Sequence, residues 1–136
     1  MDSFKKILFL FLIILALGCS NDDDGYTPYN QRLIGQWFLT GVTQNGMLTA
    51  PDECTSQTYL NFVNLEDVIT QSYGKDMNDV CNNTAAEAFK YAVSENLQLV
   101  LFDDEEAFNI FDIIDLSGNE LTIEDSGNGI QLVFQK

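Results

Sequence analysis

The stretch LIGQWFLTGVTQNG spans residues 33–46 and decides the fold. From Gly35 to Thr43 it is rich in aromatic and β-branched side chains, which suit a half-buried pleated surface, so it reads as a strand. Seven further segments of the same kind follow. They are QTYLNFV (57–63), DVITQSY (67–73), EAFKYAV (87–93), LQLVLF (97–102), AFNIFDII (107–114), ELTIED (120–125) and IQLVFQ (130–135). The breaks between the later segments, such as Ser117-Gly118-Asn119 and Ser126-Gly127-Asn128-Gly129, consist of turn formers. Eight strands with short connections predict an all-β domain over residues 31–136. The arrangement this favours is an eight-stranded antiparallel up-and-down barrel, which leaves no open edge. A two-sheet sandwich is the competing arrangement. Long helices are not expected. Asn30 to Ile34 has room for one helical turn before the first strand, and NTAAEAF for another at its start.

Alternation assigns an apolar face to each strand. Leu39, Leu60, Phe62, Phe89, Tyr91, Phe108 and Ile110 form the expected inward set. Leu97, Leu99 and Leu101 share one face, as do Leu121 and Ile123. FNIFDII is apolar on both faces, so a bulge near Asp112 is expected to switch the inward set from Phe108 and Ile110 to Ile113. A barrel of this size either encloses one small molecule or is filled by its own side chains. The same inward residues are therefore ligand-contact candidates on one reading and packed core on the other.

Outward from the domain, the N-terminus carries an address. Lys5 and Lys6 precede an unbroken apolar run from Ile7 to Leu17. That run is too short to cross a bilayer comfortably, which takes about 20 residues. With its basic start it reads as a secretory signal peptide over residues 1–18. Ala16-Leu17-Gly18-Cys19 resembles a bacterial lipobox, with Ala16 where Leu is usual. The resemblance implies cleavage before Cys19 and acylation of its thiol, the kind of modification that carries palmitate. Each buried methylene contributes about 0.8 kcal/mol, so several acyl chains hold a domain to a membrane. Residues 19–30 read as an acidic, lipidated tether containing Asp22-Asp23-Asp24, Gly25 and Pro28. A cysteine followed closely by acidic residues resembles the export tag of surface lipoproteins in the Bacteroidetes. It implies a lipid-anchored, cell-surface position on the outer membrane, with an inward-facing outer-membrane lipoprotein as the alternative.

Composition removes whole classes of function. The 136 residues carry 21 acidic and 6 basic side chains, a formal net charge of −15. Such a surface repels nucleic acid. The chain has no histidine, which excludes histidine bases, Ser-His-Asp triads and histidine metal sites. With Cys19 acylated, Cys54 and Cys81 remain, and a leftover pair in an exported protein usually forms a disulfide. Closing that loop would stabilise by about 3–4 kcal/mol on the chain-entropy estimate.

Gly35-Gln36-Trp37 at the start of the first strand resembles the lipocalin signature. The signature implies that Gly35 permits a tight entry and that Trp37 plugs the closed end of a barrel. The wider pattern of LIGQWFLTGVTQNG, a cysteine, YLNF, a second cysteine and FNIFDIIDLSGNELTI resembles the small lipocalin-like lipoproteins of the Bacteroidetes. The resemblance covers roughly residues 31–136. In those relatives an aromatic often opens the fourth strand, the place of Tyr91. Two departures stand out. Asn64-Leu65-Glu66-Asp67 replaces a usually glycine-rich turn, and the 74–86 loop is long.

Catalytic readings find little support. Asp112, Asp115, Glu120 and Glu124 cluster near one hairpin, but nothing fixes two of them across a sugar as a glycosidase needs. There is no phosphate loop, no Gly-x-Ser-x-Gly and no metal-ligand cluster, so neither an enzyme nor a cofactor is expected. Asp103-Asp104-Glu105-Glu106 offers hard oxygens but lacks EF-hand spacing. The expected function is a surface-anchored, non-catalytic binding module for a small apolar molecule. The alternative is a packed-core interaction protein whose loops contact an envelope protein or a glycan.

Overall fold

The computed structural model describes residues 28–104 and 106–136. The expected signal peptide, Cys19 and most of the expected tether lie outside the described residues, as does Glu105. A short helix, α1 (Pro28–Leu33), leads into eleven strands. These are β1 (Gly35–Gln44), β2 (Met47–Thr49), β3 (Tyr59–Phe62), β4 (Asp67–Gln71), β5 (Tyr73–Lys75), β6 (Cys81–Asn83), β7 (Glu87–Val93), β8 (Gln98–Asp103), β9 (Glu106–Leu116), β10 (Glu120–Asp125) and β11 (Ile130–Gln135). Eight of them, β1, β3, β4 and β7 to β11, pair antiparallel in chain order, and β11 pairs back onto β1. The sheet is therefore a closed up-and-down barrel, which excludes the sandwich.

The additional strands come from local turn chemistry. Asn45 and Gly46 both take positive φ, 52° and 76°, the geometry of the tight hairpin turn that follows strand twist. That turn folds β2 back onto the second half of β1. The strand expected at 67–73 ends instead at Gln71. Tyr73 to Lys75 then pairs with Cys81 to Asn83 in a separate two-stranded sheet. Residues 84–86 run into β7 without a helical turn. The glycine-poor β3–β4 turn works through Asn64, whose side-chain oxygen accepts from the backbone N–H groups of Glu66 and Asp67, both at 2.8 Å.

Bulges adjust the inward phase. In β1 the register shifts between Leu39 and Gly41, so Leu39 faces the partner Phe134 while Val42 faces Leu132. In β9 the register shifts at two places. Leu101 opposes Asn109 while Phe102 opposes Ala107, and Thr122 opposes Asp115 while Ile123 opposes Ile113. The extra residues are Phe108 and Ile114, one on either side of the expected position at Asp112. Between them the alternation is unbroken and runs inward through Asn109, Phe111 and Ile113. Ile110 thus points outward and is 45% exposed, contrary to the expected inward set. Phe108 lies in β9, and its side chain is outside the described set.

The core is built from inward residues of every barrel strand. Trp37, Leu39, Phe62, Val68, Tyr91, Leu99, Leu121, Ile123 and Phe134 are all buried. At one end α1 covers the barrel. Leu33 is fully buried, and the buried Asn30 donates its side-chain amide to the Leu65 carbonyl at 3.0 Å. Arg32 donates to the Leu116 carbonyl, tying α1 to the end of β9. The last residues assigned to the tether, 28–30, thus belong to the capping helix.

Candidate functional site

A cavity of about 300 Å³ opens along the barrel axis. Its floor is apolar and comes from five different strands: Phe62 (β3), Val68 (β4), Leu99 (β8), Ile123 (β10) and Phe134 (β11), all buried. Leu60, Phe89, Phe111 and Leu132, half-buried, line its walls. Thr58, Thr70, Ser72, Glu87 and Asn109 give it a polar mouth. The volume is at the small end of the range for ligand sites. It is about twice a ~150 Å³ cavity that accommodates benzene, which sets the room at about a dozen non-hydrogen atoms.

The expected ligand-contact residues divide on this map. Leu60, Phe62 and Phe89 line the cavity. Leu39 and Tyr91 are buried in the core and do not line it. Ile110 faces solvent. The lining residues missing from that set are most of the floor, Val68, Leu99, Ile123 and Phe134, together with Phe111, Leu132 and the polar mouth. Glu87 was accessible to the same alternation that groups Phe89 with Tyr91, one step earlier on the strand. Asn109 and Phe111 were hidden because β9 is apolar on both faces, so its phase is not readable from composition.

The closed end is a layered plug. Trp37 is 0% exposed, and its indole Nε1 donates to the Leu33 carbonyl at 2.7 Å. The Lys136 ammonium lies 4.9 Å from the centre of the indole ring and donates to the Ile34 carbonyl. Gly35 has φ +126°, and a side chain there would run into the Lys136 methylenes, so glycine is required on two counts. Phe62 and Tyr91 meet edge to face with ring centres 4.9 Å apart. The Tyr91 hydroxyl donates to the Asn64 carbonyl at 2.8 Å. Burial pushes the Tyr91 phenol up to about 12, with the nearby Asp67 carboxylate acting in the same direction and a hydrogen bond with Asn30 acting against it.

The mouth is braced covalently. Cys54 and Cys81 are joined, with Cα atoms 5.6 Å apart and a sequence separation of 27. The bond ties the segment before β3 to the β5–β6 hairpin, as the leftover-pair argument expected. The same region is knit by polar groups. The Thr58 hydroxyl accepts from the Tyr73 N–H at 3.0 Å, and the Asp52 carboxylate accepts from the N–H groups of Cys54 and Thr55. The Thr55 backbone contact, the largest influence, holds the Asp52 carboxyl below its usual range. The Asp76 carboxylate caps the hairpin tip in the same way, and the N–H groups of Val80 and Asn78 hold it low.

The carboxylates near β9 and β10 lie outside the cavity. Asp112 and Glu124 oppose one another across the strands, next to the inward Ile113 and Ile123, and so face outward. Each accepts from a glutamine amide, Asp112 from Gln98 at 3.1 Å and Glu124 from Gln131 at 2.7 Å. Among the described residues no group of three or more His, Cys, Asp or Glu side chains is disposed to hold a metal ion.

A model of the lipocalin-like domain family matches residues 33–123, two thirds of the chain. No curated protein and no solved structure matches the sequence.

Proposed function

The chain belongs to the lipocalin-like domain family, and on that premise we propose that it is a non-catalytic binding module that takes a small, largely apolar molecule into its barrel. One observation carries this reading. The axial cavity of about 300 Å³ has an apolar floor drawn from five strands and polar groups only at its mouth. A barrel filled by its own side chains would leave no such space. The barrel is also the rigid kind of scaffold on which a preformed site loses little entropy when it binds.

We propose further, from the N-terminal sequence, that the barrel is held at the cell surface by a lipid anchor. The signal-like run, Cys19 and the acidic tether fit a lipoprotein held on the outer membrane at the cell surface, as in the Bacteroidetes proteins that the sequence resembles. The tether joins the barrel at α1, whose first residue is Pro28. Palmitate labelling tests the anchor. Cys19→Ala should lose the label and leave the membrane fraction, and label retained by that variant would refute the lipid assignment. For the cavity, native mass spectrometry of the protein taken from its own envelope should show a non-covalent adduct of low mass. If protein with an open mouth binds no member of a panel of small apolar compounds, the alternative reading of a packed interaction domain takes its place.

A further inference from the structure

The cavity has a charge preference built into its mouth. Glu87 is the first residue of β7 and shares the inward phase of Phe89, Tyr91 and Val93. It lines the cavity with Asn109 and with the hydroxyls of Thr58, Thr70 and Ser72. No lining residue among those described is basic.

Among the described residues no cation stands at the mouth to compensate. Of the chain's six basic residues, Lys5 and Lys6 lie outside the described residues. The other four are committed elsewhere. Arg32 and Lys136 serve the closed end through the Leu116 and Ile34 carbonyls. Lys75 pairs with Asp79 at 3.0 Å, and Lys90 with Asp67 and Glu66. The chain as a whole carries 21 acidic residues. An anionic amphiphile would enter against this field and meet no positive group at the mouth. A cationic one would be drawn in and would find Glu87 beside an apolar chamber. The hydroxyl of Thr70, the residue paired with Glu87 across the strands, can accept a further ammonium proton.

Building on the cavity reading, we propose that the ligand is a small amphiphile with an apolar body of about ten non-hydrogen atoms and a protonated amine head, and that Glu87 selects the amine over a carboxylate. The body fits the volume between Phe62, Val68, Leu99, Ile123 and Phe134. The head remains at the wet end, where an ammonium keeps part of its hydration and avoids the cost of full burial.

The experiment titrates the lipid-anchored protein as it is isolated from the envelope, held in neutral phosphatidylcholine nanodiscs, with phenylpropylammonium, phenylpropanol and phenylpropionate by calorimetry, with empty nanodiscs subtracted. The ammonium compound should bind about tenfold tighter than the carboxylate, with the alcohol between them, and added salt should narrow the gap. Glu87→Gln should remove the ordering and Glu87→Lys should invert it. Glu95→Gln, at the exposed turn after β7, should leave the ordering intact. Equal or tighter binding of the carboxylate would overturn the charge selection while the cavity reading stands. Loss of the preference in Glu95→Gln as much as in Glu87→Gln would also overturn it, by tracing the preference to overall charge. If none of the three compounds binds, both the cavity reading and this inference fall.

Discussion

Replacing Trp37 with alanine is the sharpest test of the plug. The side chain is 0% exposed, so its whole surface leaves the core. Truncating a buried large aromatic costs about 3–5 kcal/mol in lost transfer energy and residual cavity. The Leu33 carbonyl, in a fully buried residue, would also lose its donor at 2.7 Å, and an unsatisfied buried acceptor adds about 1–3 kcal/mol. The Lys136 ammonium would lose its aromatic partner, about 0.5–1 kcal/mol at a partly exposed site. These losses overlap, and together they approach the whole stability of a small domain, about 5–15 kcal/mol. Trp37→Ala should therefore be unfolded or poorly soluble. Trp37→Phe keeps most of the bulk and should lose only about 1–3 kcal/mol, the share of the indole hydrogen bond. Urea unfolding of both variants, followed by circular dichroism, checks the order. The wild-type indole should emit in the blue and resist iodide. A Trp37→Ala protein that melts within about 1 kcal/mol of wild type, together with red-shifted, easily quenched emission in the wild type, would refute the plug. It would make Trp37 a surface residue available for stacking on a glycan.

Three further outcomes follow from the same geometry. Reducing Cys54–Cys81 should remove up to about 3.5 kcal/mol on the loop-closure estimate and loosen the β5–β6 hairpin, while the eight-stranded ladder persists; two alkylated thiols in unreduced native protein would contradict the bond. Burial makes Tyr91 hold its proton more tightly when folded, about 12 against an ordinary 10, so this group leaves stability untouched below pH 10 and lowers it as pH rises from 10 towards 12. Alkaline unfolding should therefore be steep in the wild type and shallower in Tyr91→Phe, and identical profiles would place the titration elsewhere. Ile110→Ser on the outer face should change stability by less than about 0.5 kcal/mol, whereas Ile123→Ala should cost about 2–5 kcal/mol, and thermal melts showing the reverse order would overturn the assigned phase of β9 and β10.

Much of the fold was legible because the signals are local. Aromatic and β-branched runs bounded by Ser, Gly and Asn mark strands, and a chain of hairpins in sequence order has few topologies that leave no open edge. The eight barrel strands and Gly35-x-Trp37 were readable in that way. So was the pairing of Cys54 with Cys81, because on the reading of an exported chain with Cys19 acylated only one pair is left. Other features required the closed sheet. The side on which a β9 residue falls depends on bulges at Phe108 and Ile114, and these are set by the registers with β8 and β10 rather than by the hydrophobicity of FNIFDII. That is why Ile110 was expected inside and stands outside. Glu87 lies on the alternation of Phe89 and Tyr91, but that this face borders a chamber shows only once the barrel closes. The sequence by itself determined the eight strands of the barrel, the place of Gly35 and Trp37 at the start of the first, and the acidic, cation-poor character of the chain, because each follows from residue type and short-range order. Only the tertiary structure decided which side chains share the interior and that a chamber remains among them, because register and empty volume are properties of distant strands brought together.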